Sequence, residues 1–204
     1  MNPDHENLCG SPEWAAWLQS EILPAVTAGI DLGKDMLEIG PGPGAATGWL
    51  CEHVASLTLL ETDAAAAAAL ATRHRGGNVT VDTGDAAHMP YGNESFDSVG
   101  SFTMLHHVPT AAAQYQILSQ AMRVLRPGGT LLGSDSLAST GLHHFHAGDT
   151  YNPVDPATLL VWLRTLGFAP VTLIVGDLLM FAARKPGPAA DDAADARDQQ
   201  EAAP

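Results

Sequence analysis

Cysteine is scarce in this 204-residue chain. Cys9 and Cys51 are its only thiols, too few for a disulfide framework or a cysteine-based zinc site. Basic charge is scarce as well. Nine Lys and Arg stand against 23 Asp and Glu, for a formal net charge of −14. Such a chain repels phosphate backbones and anionic headgroups, and its few cations form no cluster. Neither nucleic acid nor membrane is expected as a partner. No apolar run reaches the roughly 20 residues of a membrane helix. Residues 1–10 are polar and carry no stretch of signal-peptide type. A cytoplasmic protein with reduced thiols, monomeric or homodimeric, is expected.

Apolar residues make up 46% of the chain and charged residues 16%, enough for a packed core. The length suits one domain. The organisation expected is a flexible N-terminus (1–10), a single domain (11–185) opened by a helical lid (11–33), and a disordered acidic tail (186–204). That tail holds Asp191, Asp192, Asp195, Asp198 and Glu201 against Arg197, a composition that buries little.

Ser11-Pro12-Glu13 starts a helix with a Ser cap, a Pro at the first position and an acid in the first turn. Trp14, Trp17, Leu18 and Ile22 give that helix one apolar face, and Pro24 is expected to end or kink it. Strands are predicted at 36–39, 57–60, 79–81, 97–103 and 130–134, with helices between them. Residues 136–154 read as irregular, and Asp155-Pro156 starts a further helix. Val171–Val175 and Leu178–Ala183, separated only by Gly176-Asp177, read as a hairpin. The fold class is α/β: a Rossmann-like, doubly wound, mostly parallel seven-stranded sheet closed by an antiparallel hairpin.

In such a sheet, ligands bind beyond the carboxyl ends of the strands at the switch point. The first strand ends there in Gly40-Pro41-Gly42-Pro43-Gly44. Glycines let the chain turn tightly and let a ligand lie against the backbone. Glu61, at the tip of the second strand, suits two ribose hydroxyls. Gly40, Gly42 and Ala45 also satisfy the dinucleotide pattern, so an NAD(P)-dependent oxidoreductase is the alternative. Pro41 and Pro43 weigh against it, because they remove N–H groups that would hold a pyrophosphate. So does Glu38, which would repel a diphosphate but hold an ammonium.

Several segments resemble the class I S-adenosylmethionine-dependent methyltransferases, particularly their small-molecule, methyltransferase type 11-like branch. They are Leu37 to Gly44, Leu60-Glu61-Thr62-Asp63, Gly84-Asp85-Ala86 through Met89-Pro90, Ser95-Phe96-Asp97, and Leu125-Arg126-Pro127-Gly128-Gly129. The resemblance spans about residues 30 to 184. It implies that S-adenosylmethionine is the cofactor. Gly40, Gly42 and Gly44 would run beside its methionine portion and ribose, and Glu38 would support that loop or reach the amino group. Glu61 would bind the ribose hydroxyls, with Thr62 against the adenine. Asp85 and the Ala86 amide would read the adenine, and Ser101 and Phe102 would line the methionine side. A non-catalytic module that only binds the cofactor stays open as a further alternative.

Methyl transfer from a sulfonium leaves the protein mainly to position and desolvate the nucleophile. Met104-Leu105-His106-His107-Val108 follows the fourth strand, and His106 is the residue expected to face the pocket as a general base or positioning group. Trp14, His107, His143, His144, His146 and Tyr151 are candidates for the acceptor side. The His143-His144-His146 run has no accompanying set of carboxylates, and Ser101-Phe102 and Asp135-Ser136 stand where metal-dependent catechol-type relatives carry ligands. No metal is expected.

Overall fold

The computed structural model of the chain describes residue 2 and residues 7–187. Most of the acidic tail, from 188 onward, and residues 1 and 3–6 lie outside the described residues. Within the first ten residues, Asn2 donates through its backbone N–H to Asp149 and through its amide to the Phe145 carbonyl.

Seven strands form one sheet: β1 (Asp35–Ile39), β2 (Ser56–Glu61), β3 (Val79–Thr83), β4 (Phe96–Phe102), β5 (Leu125–Ser136), β6 (Val171–Val175) and β7 (Leu178–Arg184). Their order is β3-β2-β1-β4-β5-β7-β6. The β1–β2, β2–β3, β1–β4 and β4–β5 pairs are parallel, and β7 is antiparallel to both β5 and β6. The short 176–177 connection forces that reversal. The chain winds outward from β1 to β3 and then returns to β4 on β1's other side. The switch point therefore lies at the carboxyl ends of β1 and β4.

Alternation along β1 assigns its two faces. Leu37 and Ile39 enter one core with Ile117, Leu118, Ala121 and Val124 of α5 (Ala111–Val124) and Leu159 and Leu163 of α7 (Pro156–Thr165). Met36 enters the other, with Leu50 of α3 (Thr47–His53) and Leu70 of α4 (Ala64–Arg73). Each such buried aliphatic contributes roughly 1.5–3 kcal/mol. Side-chain caps fix the helix starts. Ser11, Asp63, Thr110 and Asp155 each accept a backbone N–H from the first turn that follows.

Three local expectations are corrected. Pro24 does not end the first helix. α1 (Pro12–Trp17) passes through a π-helical turn (Leu18–Ile22) into α2 (Leu23–Thr27). Leu23 N–H donates to the Leu18 carbonyl, five residues back. This widened turn accommodates a proline with no N–H to give to residue 20. The 136–154 segment is not wholly irregular, since α6 (Thr140–Phe145) forms there behind a Ser139 cap. Finally, β5 begins at Leu125 rather than Thr130, because a register shift opposite Phe96 and Ser98 absorbs the glycine turn.

Candidate functional site

The glycine turn leaves β1 with Gly40, Gly42 and Gly44 all at positive φ, backbone that side chains disfavour. The carboxyl end of β2 holds it. Gly40 N–H donates to the Leu60 carbonyl, and Gly42 N–H donates to Glu61 Oε2 at 2.9 Å. The other Glu61 oxygen accepts the Asp63 N–H at 2.9 Å. Glu61 is thus a buried brace that joins the tip of β2 to the turn, and Asp63 caps α4 as a separate group. An ionised carboxylate offers about four acceptor positions, so two remain for a ligand's hydroxyls. The space around Gly42 differs from that around Gly40. A Cβ on Gly40 would collide with the Met104 side chain, whereas one on Gly42 would meet nothing within 4 Å.

Glu38 points from β1 beneath the turn and is 2% exposed. Its Oε2 accepts the Thr47 hydroxyl at 2.7 Å. Burial pushes its carboxyl up to about 7, Thr47 opposes that rise, and the nearby Glu61 charge adds to it. A carboxyl so placed gains from a cation brought beside it.

Asp85 follows β3 and is exposed. It accepts the Ala87 N–H at 2.8 Å and lies 3.1 Å from His88 Nδ1. The Ala87 hydrogen bond, opposed by partial burial and aided by His88, holds its carboxyl below the usual range. Thr62 is exposed and Ala86 half-buried. Ser101 and Phe102 are buried at the end of β4. Among the described residues, the buried oxygens without a protein partner include Ser101 Oγ, Ser134 Oγ, Asp135 Oδ2 and Ser136 Oγ. All four lie at the carboxyl ends of β4 and β5, where native proteins leave few such atoms without a functional reason. Thr103, between β4 and the histidine turn, has φ of 51°. A β-branched residue there is strained, as residues at functional turns often are.

The glycine turn, Glu38, Phe102, Thr103, Met104 and His107 border one depression, and Cys9, Trp14 and Leu18 cover it. Its volume is about 70 Å³, against about 300 Å³ or more for usual ligand pockets. Trp14 packs 5.1 Å from Trp17, which is 37% exposed. Gln19 donates to the Ala45 carbonyl and ties the π-helical turn to the glycine turn. A larger cavity of about 680 Å³ lies at the opposite, amino end of the sheet. Of its charged lining residues, Arg126 is already paired with Asp35 and Asp97.

His106 does not face the depression. The 3₁₀ turn Leu105–His107 aims adjacent side chains in different directions, and His107 is the one at the rim. His106 is 3% exposed, with Nδ1 2.5 Å from Asp135 Oδ1. The sequence histidine run is also split. α6 leaves His143 and His144 exposed, while His146 is buried, stacked on Tyr151 and close to both His106 and His107. Sequence reasoning gave no role to Asp135, Gln114 or Asn152. Buried Gln114 donates to the Leu105 and Asn152 carbonyls, and Asn152 donates to those of His106 and Val108. The available signal was a buried acid late in a central strand and an amide on the apolar side of a helix.

A methyltransferase-domain family matches residues 37–133. A phthiotriol/phenolphthiotriol dimycocerosates methyltransferase of Mycobacterium ulcerans is 32% identical over 60% of this chain and 45% of its own length. The chain thus spans about half or less of that relative. A phosphoethanolamine N-methyltransferase of Haemonchus contortus, solved with S-adenosylmethionine, is 17% identical with a TM-score of 0.68, covering 82% of this chain and 52% of that one. The [4+2]-cyclase SpnF aligns with a TM-score of 0.67 at 19% identity, over 86% of this chain and 82% of that one. These two structural likenesses establish the fold alone.

Proposed function

Since the chain belongs to the class I S-adenosylmethionine-dependent methyltransferase family, we propose that it transfers the cofactor's methyl group to a small-molecule acceptor by in-line displacement. The observation that carries this reading is the buried Glu38 carboxyl under a glycine turn braced by Glu61. The cofactor supplies an activated methyl on a sulfonium. Glu38 holds its ammonium, Glu61 accepts from its ribose, and the unfilled space at Gly42 lets it lie against the backbone. Gly40 and Gly44 shape the turn. Thr62, Asp85 and the Ala86 amide take the adenine, and Ser101 and Phe102 line the methionine side.

The acceptor lies on the side of His107, Trp14, His146 and Tyr151. His143 and His144 are exposed on α6, and His143 borders the same side through its ring contact with Tyr151. The helical segment 11–33 acts as the lid. Trp14 and Leu18 fill the volume the cofactor needs, so binding requires that segment to swing away from the turn. The net charge of −14 favours a small acceptor over nucleic acid. Among the described residues no helix is long and apolar enough to cross a membrane.

A cyclase shares this fold, so transfer has to be measured directly. The test is calorimetric titration of the full chain with S-adenosylhomocysteine and with NADH, followed by a screen of small acceptors with methyl-labelled cofactor. Binding of S-adenosylhomocysteine and label in a small product are expected. Binding of NADH alone would overturn the reading. Cofactor binding with no transfer to any acceptor would reduce the protein to a binding module.

A further inference from the structure

We propose that His106, His107 and His146 form a binding site for one divalent transition-metal cation of the zinc type, on the acceptor side of the depression. Their ligand atoms all lie within 4.8 Å of one another. Nitrogens held 2.0–2.1 Å from a tetrahedral zinc stand about 3.4 Å apart, so small ring rotations close the site.

Proximity is not the only support. Two of the rings are already oriented as metal-binding imidazoles are. His106 Nδ1 meets Asp135 Oδ1, and His146 Nδ1 lies 2.7 Å from the Leu142 carbonyl. A carbonyl only accepts, so His146 donates from Nδ1 and turns Nε2 away from that carbonyl. The Asp135 carboxyl engages the same nitrogen of His106 and turns its Nε2 away likewise. A carboxylate or carbonyl on the outer nitrogen is the usual second layer of a histidine metal site, where it fixes the ring and raises its basicity.

The surrounding chain is held as well. Gln114 and Asn152 cross-link the 105–108 turn to α5 and to the 150–154 segment, and Tyr151 stacks 4.4 Å from His146 and donates to the Leu137 carbonyl. Such restraint lowers the ordering cost of binding. The donor set decides the metal. Three imidazoles suit zinc, iron, cobalt, nickel or copper, whereas magnesium and calcium require oxygen ligands. His107 belongs both to this cluster and to the rim of the cofactor depression. A cation held here would therefore lie behind that rim, next to His107.

The test uses the full chain, stripped with chelator and titrated with Zn²⁺ against a chromophoric competitor, and with Co²⁺ followed by its visible absorption. One zinc per chain is expected, with Co²⁺ bands of a nitrogen-rich site. His107→Ala and His146→Ala should each abolish stoichiometric binding, and Asp135→Asn should weaken it by about 10–100-fold. His143→Ala and His144→Ala should leave it unchanged. Circular dichroism of each metal-free variant separates loss of ligand from loss of fold. His107→Asn serves as a milder substitution at the rim. Failure of the folded wild-type chain to hold one zinc would overturn the proposal. So would equal loss in the His143 or His144 variants. Neither result bears on S-adenosylhomocysteine binding, which tests the methyltransferase reading separately.

Discussion

Replacing Glu38 by Gln isolates the energetic cost of the carboxyl beneath the glycine turn. Burial raises this carboxyl from its ordinary 4.5 to about 7. The native state therefore keeps a proton that the unfolded chain has released. Between about pH 4.5 and 7 the folded protein binds more protons, so stability falls as pH rises through that window and is level above it. At 1.36 kcal/mol per pKa unit, the ionised carboxyl costs about 3 kcal/mol at pH 8. Gln retains an oxygen for the Thr47 hydroxyl and cannot ionise. The variant should match wild type within about 0.5 kcal/mol at pH 4.5 and exceed it by about 3 kcal/mol at pH 8. Urea denaturation of both proteins at the two pH values measures the difference, and groups common to both cancel. A stability difference that does not change with pH would refute the assignment. Cofactor binding should respond in the opposite sense. An ammonium beside Glu38 favours the ionised form, so wild type should bind S-adenosylhomocysteine more tightly as pH rises toward 7. The Gln variant should bind more weakly and lose that dependence. The carboxyl then trades stability for ligand recognition, a common pattern at binding sites.

Other perturbations probe the remaining parts of the site. Gly42→Ala places a methyl group in open space at a φ of 53°. It should cost only about 1–2 kcal/mol of backbone strain by urea denaturation while blocking S-adenosylhomocysteine. Gly40→Ala also meets Met104 and should lower the melting temperature more than Gly42→Ala; the reverse order would contradict the geometry of the turn. Glu61→Ala removes the acceptor of the half-buried Gly42 N–H and of the more exposed Asp63 N–H, and should cost about 1–2 kcal/mol of stability by denaturation. A loss under about 0.5 kcal/mol would show that the brace is unimportant. Asp85→Ala should weaken S-adenosylhomocysteine binding by about 1–3 kcal/mol by calorimetry; unchanged affinity would leave Asp85 as a turn residue only.

The fold was legible where one local cause dominates. Short strands, helix starts at Ser11 and Asp155, and the two-residue connection at 176–177 each act within a few residues, and the sheet follows from them. Pro24 does not stop the helix because a neighbouring π-helical turn absorbs the missing donor, an adjustment no single residue announces. The glycine turn was legible as a turn, although the bracing contacts of Glu61 were not. It was expected to face ligand and is found holding Gly42 and Asp63 N–H groups while retaining acceptor capacity.

The histidines show where sequence reasoning ends. His143, His144 and His146 are neighbours in sequence, yet a single turn of α6 sends two outward and one inward. His146 then meets His106 and His107, some forty residues earlier, on a different strand exit. Their orienting carboxylate, Asp135, comes from a third element, inside β5. Absence of carboxylates next to the histidine run argued against a metal only while the run was taken as the cluster. Once the ends of β4 and β5 are side by side, the carboxylate stands behind a histidine instead of beside it. That position governs tautomer and orientation, and it is set by the β4–β5 register that pairs Ser101 with Gly133 and Phe102 with Ser134. A substitution that shifts this register would therefore disturb the histidine cluster without touching a histidine.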